Sequence, residues 1–159
     1  MSRRGYEWCC AILLVLLIGM GASECDACDE METMTRAMYF EATPLNFHDM
    51  VAIGTIIKER VHIGYRNADT ICDVVHSKGQ FSALEKIKNN EMDDKKALQI
   101  AKDAAYCVLR NDCSHAAVRG VLDYYACKGR WGIPPPYWAK NYKLVAQVGD
   151  HCYLMRDRA

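Results

Sequence analysis

Neither sign of charge is in excess along this chain: twenty lysines and arginines are matched by twenty aspartates and glutamates over 159 residues. Net charge therefore supplies no steering toward nucleic acid or anionic lipid, and no nucleic-acid partner is expected. The five histidines fall into no HExxH or other tight ligand spacing, which disfavours a zinc peptidase or amidase. A GxSxG elbow, a Walker loop and a Rossmann glycine pattern are also missing, so neither metal nor cofactor is expected. There is no internal repeat and no low-complexity tract. With 51% hydrophobic and 25% charged residues, the composition excludes a disordered or collagen-like chain and suits one globular domain.

What is present begins with a leader. Arg3 and Arg4 precede an apolar run from Cys9 through Ile18, followed by the small residues Gly19, Gly21, Ala22 and Ser23. That is the layout of a signal peptide, with cleavage expected before Glu24 and no lipobox ahead of Cys25. The run is shorter than the roughly 20 apolar residues of a spanning helix, though a retained anchor remains an alternative, and a buried core helix a blander one. Residues 1–23 are thus read as signal peptide or signal-anchor, and 24–159 as the folded domain. Nine cysteines suit an oxidising compartment. Removing Cys9 and Cys10 with the leader leaves an odd number, and spacing alone does not fix the pairing. The single CxxC of Cys25 and Cys28 reads better as disulfide framework than as a zinc or redox site.

Helical spacing marks Met34, Ala37, Met38 and Glu41 as one face of a helix that Thr43-Pro44 must stop, which puts Glu41 in its last turn. Asn46, with Asp49 three residues on, resembles the cap of a second helix, in which Met50, Val51, Gly54, Ile57 and Val61 share a face and Gly64 is the stop. Residues 65–90 read as loop and short helix. Asp93 or Asp94 caps a third helix with Ala97, Leu98, Ala101, Ala104, Ala105, Val108 and Leu109 in period, ending at Asn111-Asp112. VLDYYA and HCYLM read as strands on either side of a proline-fixed aromatic loop, GRWGIPPPYWAK, so a small hairpin or sheet closes the domain.

A carboxyl in the last turn of a mainly apolar helix, beside Tyr39 and Phe40, is placed for partial desolvation, which favours the protonated form a general acid needs. A solvated helix-end glutamate is the plain alternative. Tyr124, Tyr125, Trp131, Tyr137 and Trp138 are candidates for stacking on the apolar faces of sugar rings, with core packing as the alternative. Glu59, Asp73 and Asp123 are further carboxylates, read as structural or positioning groups.

From Met34 to about Arg156 five segments stand in the order found in one family: TRAMYFEAT, MVAIGTIIKERV, DTICDVVHSKGQFSA, VLDYYA and PPPYWAKNYKLVAQVGDHCYL. Together they resemble the SleB-type cell-wall hydrolases, the family of the spore cortex-lytic enzymes, some of which are phage-encoded endolysins. The resemblance implies an α+β, mainly α-helical, lysozyme-like domain with a small β-hairpin, acting as a lytic transglycosylase or muramidase-type glycosidase on the bond between N-acetylmuramic acid and N-acetylglucosamine. Glu41 falls on the family's catalytic glutamate. Gln80, Phe81 and Ser82 fall on its GQFS loop and Tyr124 and Tyr125 on its tyrosine pair, and these, with Trp138, are the expected substrate-binding residues. The implied partners are peptidoglycan glycan strands, and the membrane if the leader stays uncleaved. The expected product is an exported monomer. The sequence departs from the family pattern at Thr43, Pro44 and Leu45, at Glu59, and at Ala126 and Cys127. The rival reading is a non-catalytic peptidoglycan-binding module of the same fold.

Overall fold

The computed structural model describes residues 28–81, 92–127 and 134–156. Helix α1 spans Glu30–Glu41, α2 Phe47–His62, α3 Ile71–His76 and α4 Lys95–Arg110; strands β1 Asp123–Ala126, β2 Tyr142–Val148 and β3 His151–Arg156 follow. The described residues thus form a mainly helical α+β fold closed by a small antiparallel sheet. The leader and Cys25, Ser82 and Trp131 lie outside them. No helix among the described residues is long and apolar enough to cross a membrane.

Each long helix starts on the side chain that its sequence offers. Asp29 accepts from the amides of Met31 and Glu32, Asn46 from Asp49, and Asp94 from Lys96 and Ala97, satisfying amides that have no intrahelical partner. Thr70 and Asp73 form a reciprocal capping box that starts α3. The stop at Glu41 is as direct: Ala42 leaves the helix in extended backbone and gives its amide to Met38 O at 3.1 Å.

Helix α2 is the centre of the molecule. The sequence suggests one buried face, but the run Met50–Ile57 is buried on every side, because α2 divides two apolar clusters. Met50, Ile53 and Ile57 join α1, α3 and α4 in the larger one, while Ala52 and Ile56 meet Val118, Val121 and Tyr153 beneath the sheet. Each fully buried isoleucine or methionine contributes on the order of 1.5–3 kcal/mol. Gly54 lets α1 and α4 approach, since a Cβ there would meet Met38 Cε and Val108 Cγ2.

The sheet has the order β1-β3-β2 with both pairings antiparallel. β3 is therefore central and mostly buried, and β2, which the sequence reading leaves without a strand, is the exposed edge. Among the described residues three disulfides fasten the fold: Cys28–Cys72 joins the residues just before α1 to α3, Cys107–Cys113 closes the end of α4, and Cys127–Cys152 staples the end of β1 to β3. Cys28 thus pairs far along the chain and not within its CxxC, consistent with a framework role.

Candidate active site

Glu41 is the last residue of α1 and is half-buried. It opens onto a cleft of about 460 Å³ whose walls come from four places. Arg60 stands on α2, Tyr65 and Arg66 follow it, Gly79 and Gln80 lie in the loop after α3, and Tyr124, Tyr125, Trp138 and His151 come from the sheet side. A three-dimensional neighbourhood thus collects Glu41, Gln80, Tyr124, Tyr125 and Trp138 around one space.

Strand alternation accounts for the two tyrosines. Tyr124 leans inward onto both apolar clusters, while Tyr125 faces the ring of Trp138 edge-on at 6.3 Å, and Trp138 in turn meets Tyr142 at 5.6 Å. Both tyrosines still present an edge to the cleft. The Tyr124 hydroxyl is buried with no hydrogen-bond partner. Burial first, and then the charge of Glu41, push that phenol above its ordinary range, against the opposing pull of Arg60. Tyr124 is therefore a neutral donor, and its hydroxyl lies within electrostatic reach of Glu41.

Phe81 is 1% exposed, lies in the larger apolar cluster and sits under the Arg60 guanidinium at 5.7 Å; it is not among the residues that line the cleft. Its neighbour Ser82 lies outside the described residues. Tyr137 is 84% exposed and is not part of the cleft wall.

The other carboxylates separate by location. Asp123 lines the cleft, Glu59 lines a different hollow with Lys58 and Asp112, and Asp73 is spent on the cap of α3. Among the described residues no group of three His, Cys, Asp or Glu could hold a metal ion.

Sequence reasoning passes over three groups that the tertiary structure brings in. Arg60, 4% exposed, donates from Nε and Nη2 to Leu122 O at 3.0 and 2.6 Å and lies over the rings of Tyr65, Phe81 and Tyr124; such a caged cation fixes the wall on which the tyrosines stand. His151 at the cleft is held from behind by Asp49, whose two oxygens lie 3.2 and 3.1 Å from its Nδ1. Burial alone raises the Asp49 carboxyl, yet hydrogen bonds and charge from His151, with Thr43, outweigh it and hold the group below the usual carboxylate value. An ionised Asp49 only accepts, so His151 carries a proton on Nδ1. No local signal marks this pair, since 102 residues separate its members.

Comparison with known proteins adds to this geometry. Among curated protein sequences none matches. The crystal structure of the catalytic domain of the Bacillus cereus SleB protein is similar in fold, with a TM-score of 0.58 over 79% of this chain and 89% of that one, at 17% sequence identity. The family model described as Cell Wall Hydrolase matches residues 46–154, a span that starts after Glu41 and takes in Arg60, Gln80, the sheet and His151. With more than half its length matched and the fold in agreement, the chain belongs to the Cell Wall Hydrolase family.

Proposed function

We propose that this protein is an exported peptidoglycan glycosidase in which Glu41 is the general acid and base, working as a lytic transglycosylase on the bond between N-acetylmuramic acid and N-acetylglucosamine. The observation that carries this reading is the company of Glu41: a half-buried carboxyl lining the same cleft as tyrosines, a tryptophan and Gln80. Aromatic edges and faces suit pyranose rings, and the amide of Gln80 suits their hydroxyls. The catalytic domain of the Bacillus cereus SleB protein shares the fold, and the family name points to the cell wall.

In the proposed reaction the Glu41 carboxyl donates its proton to the glycosidic oxygen as the bond from that oxygen to the anomeric carbon breaks. The resulting carboxylate then takes the proton of the muramoyl 6-hydroxyl while that oxygen bonds to the anomeric carbon. A 1,6-anhydro end forms, no water is consumed, and Glu41 is regenerated protonated. One carboxylate is sufficient for this route. Tyr124, Tyr125, Trp138 and Gln80 hold the sugars, and residues 1–23 direct the chain out of the cytoplasm.

A hydrolytic route is favoured by one observation, the presence of Asp123 in the same cleft, since a second carboxylate is what activation of water requires. The test is product mass. Native protein incubated with sacculi is expected to release anhydro-muramoyl fragments, lighter than hydrolytic ones by one water. Glu41→Gln is expected to lower the rate on the order of 10²-fold or more; undiminished cleavage by that variant would remove Glu41 from the reaction. Binding to sacculi without any cleavage by the native protein would leave a wall-binding module instead.

A further inference from the structure

Asp49 is the most heavily engaged buried charge among the described residues. It is fully sealed from solvent on the first turn of α2. Its Oδ2 accepts the backbone N–H of Thr43 at 2.7 Å, its two oxygens meet His151 Nδ1, and the Tyr153 hydroxyl donates to Oδ1 at 3.2 Å. Thr43 is two residues past Glu41, and His151 and Tyr153 stand on the central strand. One carboxylate therefore joins the turn that leaves Glu41 to the strand that brings His151 to the cleft.

A second tie runs beside the first. Thr43 Oγ1 accepts the backbone N–H of Asp150 at 2.9 Å, so the turn before β3 is fastened to the same threonine. The space around the pair is filled: a Cβ added at Gly149 would stand 2.6 Å from Asp49 Oδ2 and 2.7 Å from Thr43 Oγ1, and Gly149 itself has φ +54. Only glycine fits this turn, because any side chain would push the threonine and the aspartate apart. Thr43 falls where the sequence departs from the family pattern, and this bridge is a use for that departure.

We propose that Asp49 is a positioning residue for Glu41, holding the end of α1 against the His151 strand so that the acid keeps a fixed place relative to a sugar lying on the sheet side of the cleft. This rests on the reading of Glu41 as the general acid. A carboxyl on a helix end would otherwise share the mobility of the turn that follows it, and proton transfer is steeply sensitive to such misplacement. The burial of Asp49 adds to the effect, since a carboxylate closed off from solvent and holding three donors has few arrangements in which all are satisfied.

The experiment measures turnover of soluble peptidoglycan glycan strands by Asp49→Asn, Thr43→Ala and Tyr153→Phe, with thermal melting of each. Asp49→Asn is expected to lower kcat on the order of tenfold with KM changed less than about twofold, because positioning is lost and sugar binding is not. Thr43→Ala, which loses the tie to Asp150, is expected to show a smaller loss of the same kind. Tyr153→Phe removes one of the two strand-side donors but leaves His151 and the Thr43 amide on the carboxylate; it is expected to lower the melting temperature and to lose less kcat than Thr43→Ala. A folded Asp49→Asn with native kcat overturns the proposal, as does a Tyr153→Phe that loses as much kcat as Asp49→Asn. Should Asp49→Asn not fold, Thr43→Ala against Tyr153→Phe decides in the same way. Failure of the underlying reading is distinguishable, since it appears as cleavage retained by Glu41→Gln.

Discussion

Replacing Gly54 by alanine tests how the helix that bears Glu41 is held. Gly54 sits in the middle of α2, where α1 and α4 come closest to it, and a Cβ there meets Met38 Cε, with Val108 Cγ2 at 3.1 Å and Cγ1 at 3.4 Å. On an isolated helix the change would gain about 1 kcal/mol. Inside this core it overpacks, at a cost of roughly 1–3 kcal/mol. The methionine end can swing, whereas Val108 is β-branched, fully buried and stiff, so the two contributions leave a net loss of about 1 kcal/mol. Gly54→Val, with two further methyl groups, should lose about 3 kcal/mol or more. Urea unfolding with an unchanged slope would measure the first loss, and thermal melting should register about 4 °C per kcal/mol.

The decisive comparison uses Met38→Ala, which by itself should cost about 2–5 kcal/mol through the cavity it leaves. In that background the space claimed by the Met38 methyl is empty and only the Val108 contact opposes the added Cβ, so Gly54→Ala should cost less than in the native protein and come close to neutral, within about 0.5 kcal/mol. Met38 also gives its carbonyl to the amide that ends α1, so Gly54→Ala alone should slow glycan cleavage as it displaces the turn carrying Glu41. Equal effects of Gly54→Ala in the two backgrounds, or a gain in the native one, would refute this account of why a glycine stands between the helices.

Further outcomes follow from single features of the fold. Replacing Cys28 and Cys72 together by serine opens a loop of 44 residues and should cost about 4 kcal/mol, against about 2 kcal/mol for Cys107 and Cys113 with a separation of 6; urea midpoints of the two double variants give the order. Tyr124→Phe removes a buried hydroxyl that has no partner and should raise stability by about 1 kcal/mol while lowering activity, so melting and turnover should move in opposite directions. Because the Asp49 carboxyl lies below its ordinary value, its contribution to stability is complete above about pH 4 and is lost as pH falls through the folded-state value. Melting between pH 7 and 3 should therefore fall less steeply in Asp49→Asn than in the native protein.

How much of this was legible beforehand depends on the distance over which each feature is decided. Asn46 and Asp94 were readable as caps because a cap and its amides lie within three residues, and the stop after Glu41 was readable because Pro44 acts on its immediate neighbour. The edge strand β2 was not, because its residues are mostly exposed and carry no clean alternation for one buried face. The burial of Phe81 is likewise not legible in its motif. Its motif names a loop beside a site, while the direction of the ring is set by the apolar cluster it meets.

The linear order of residues determined on its own where α2 and α4 begin, that Glu41 terminates α1, and that the cysteines suit a disulfide framework. Those are consequences of near neighbours and of composition. Only the folded chain decided which cysteines pair, that Asp123 faces the cleft while Glu59 and Asp73 do not, and that Asp49 meets His151 across 102 residues. Those depend on how helices and sheet close around α2, and pairings between remote residues are selected by packing of the whole core, to which no short stretch of sequence has access.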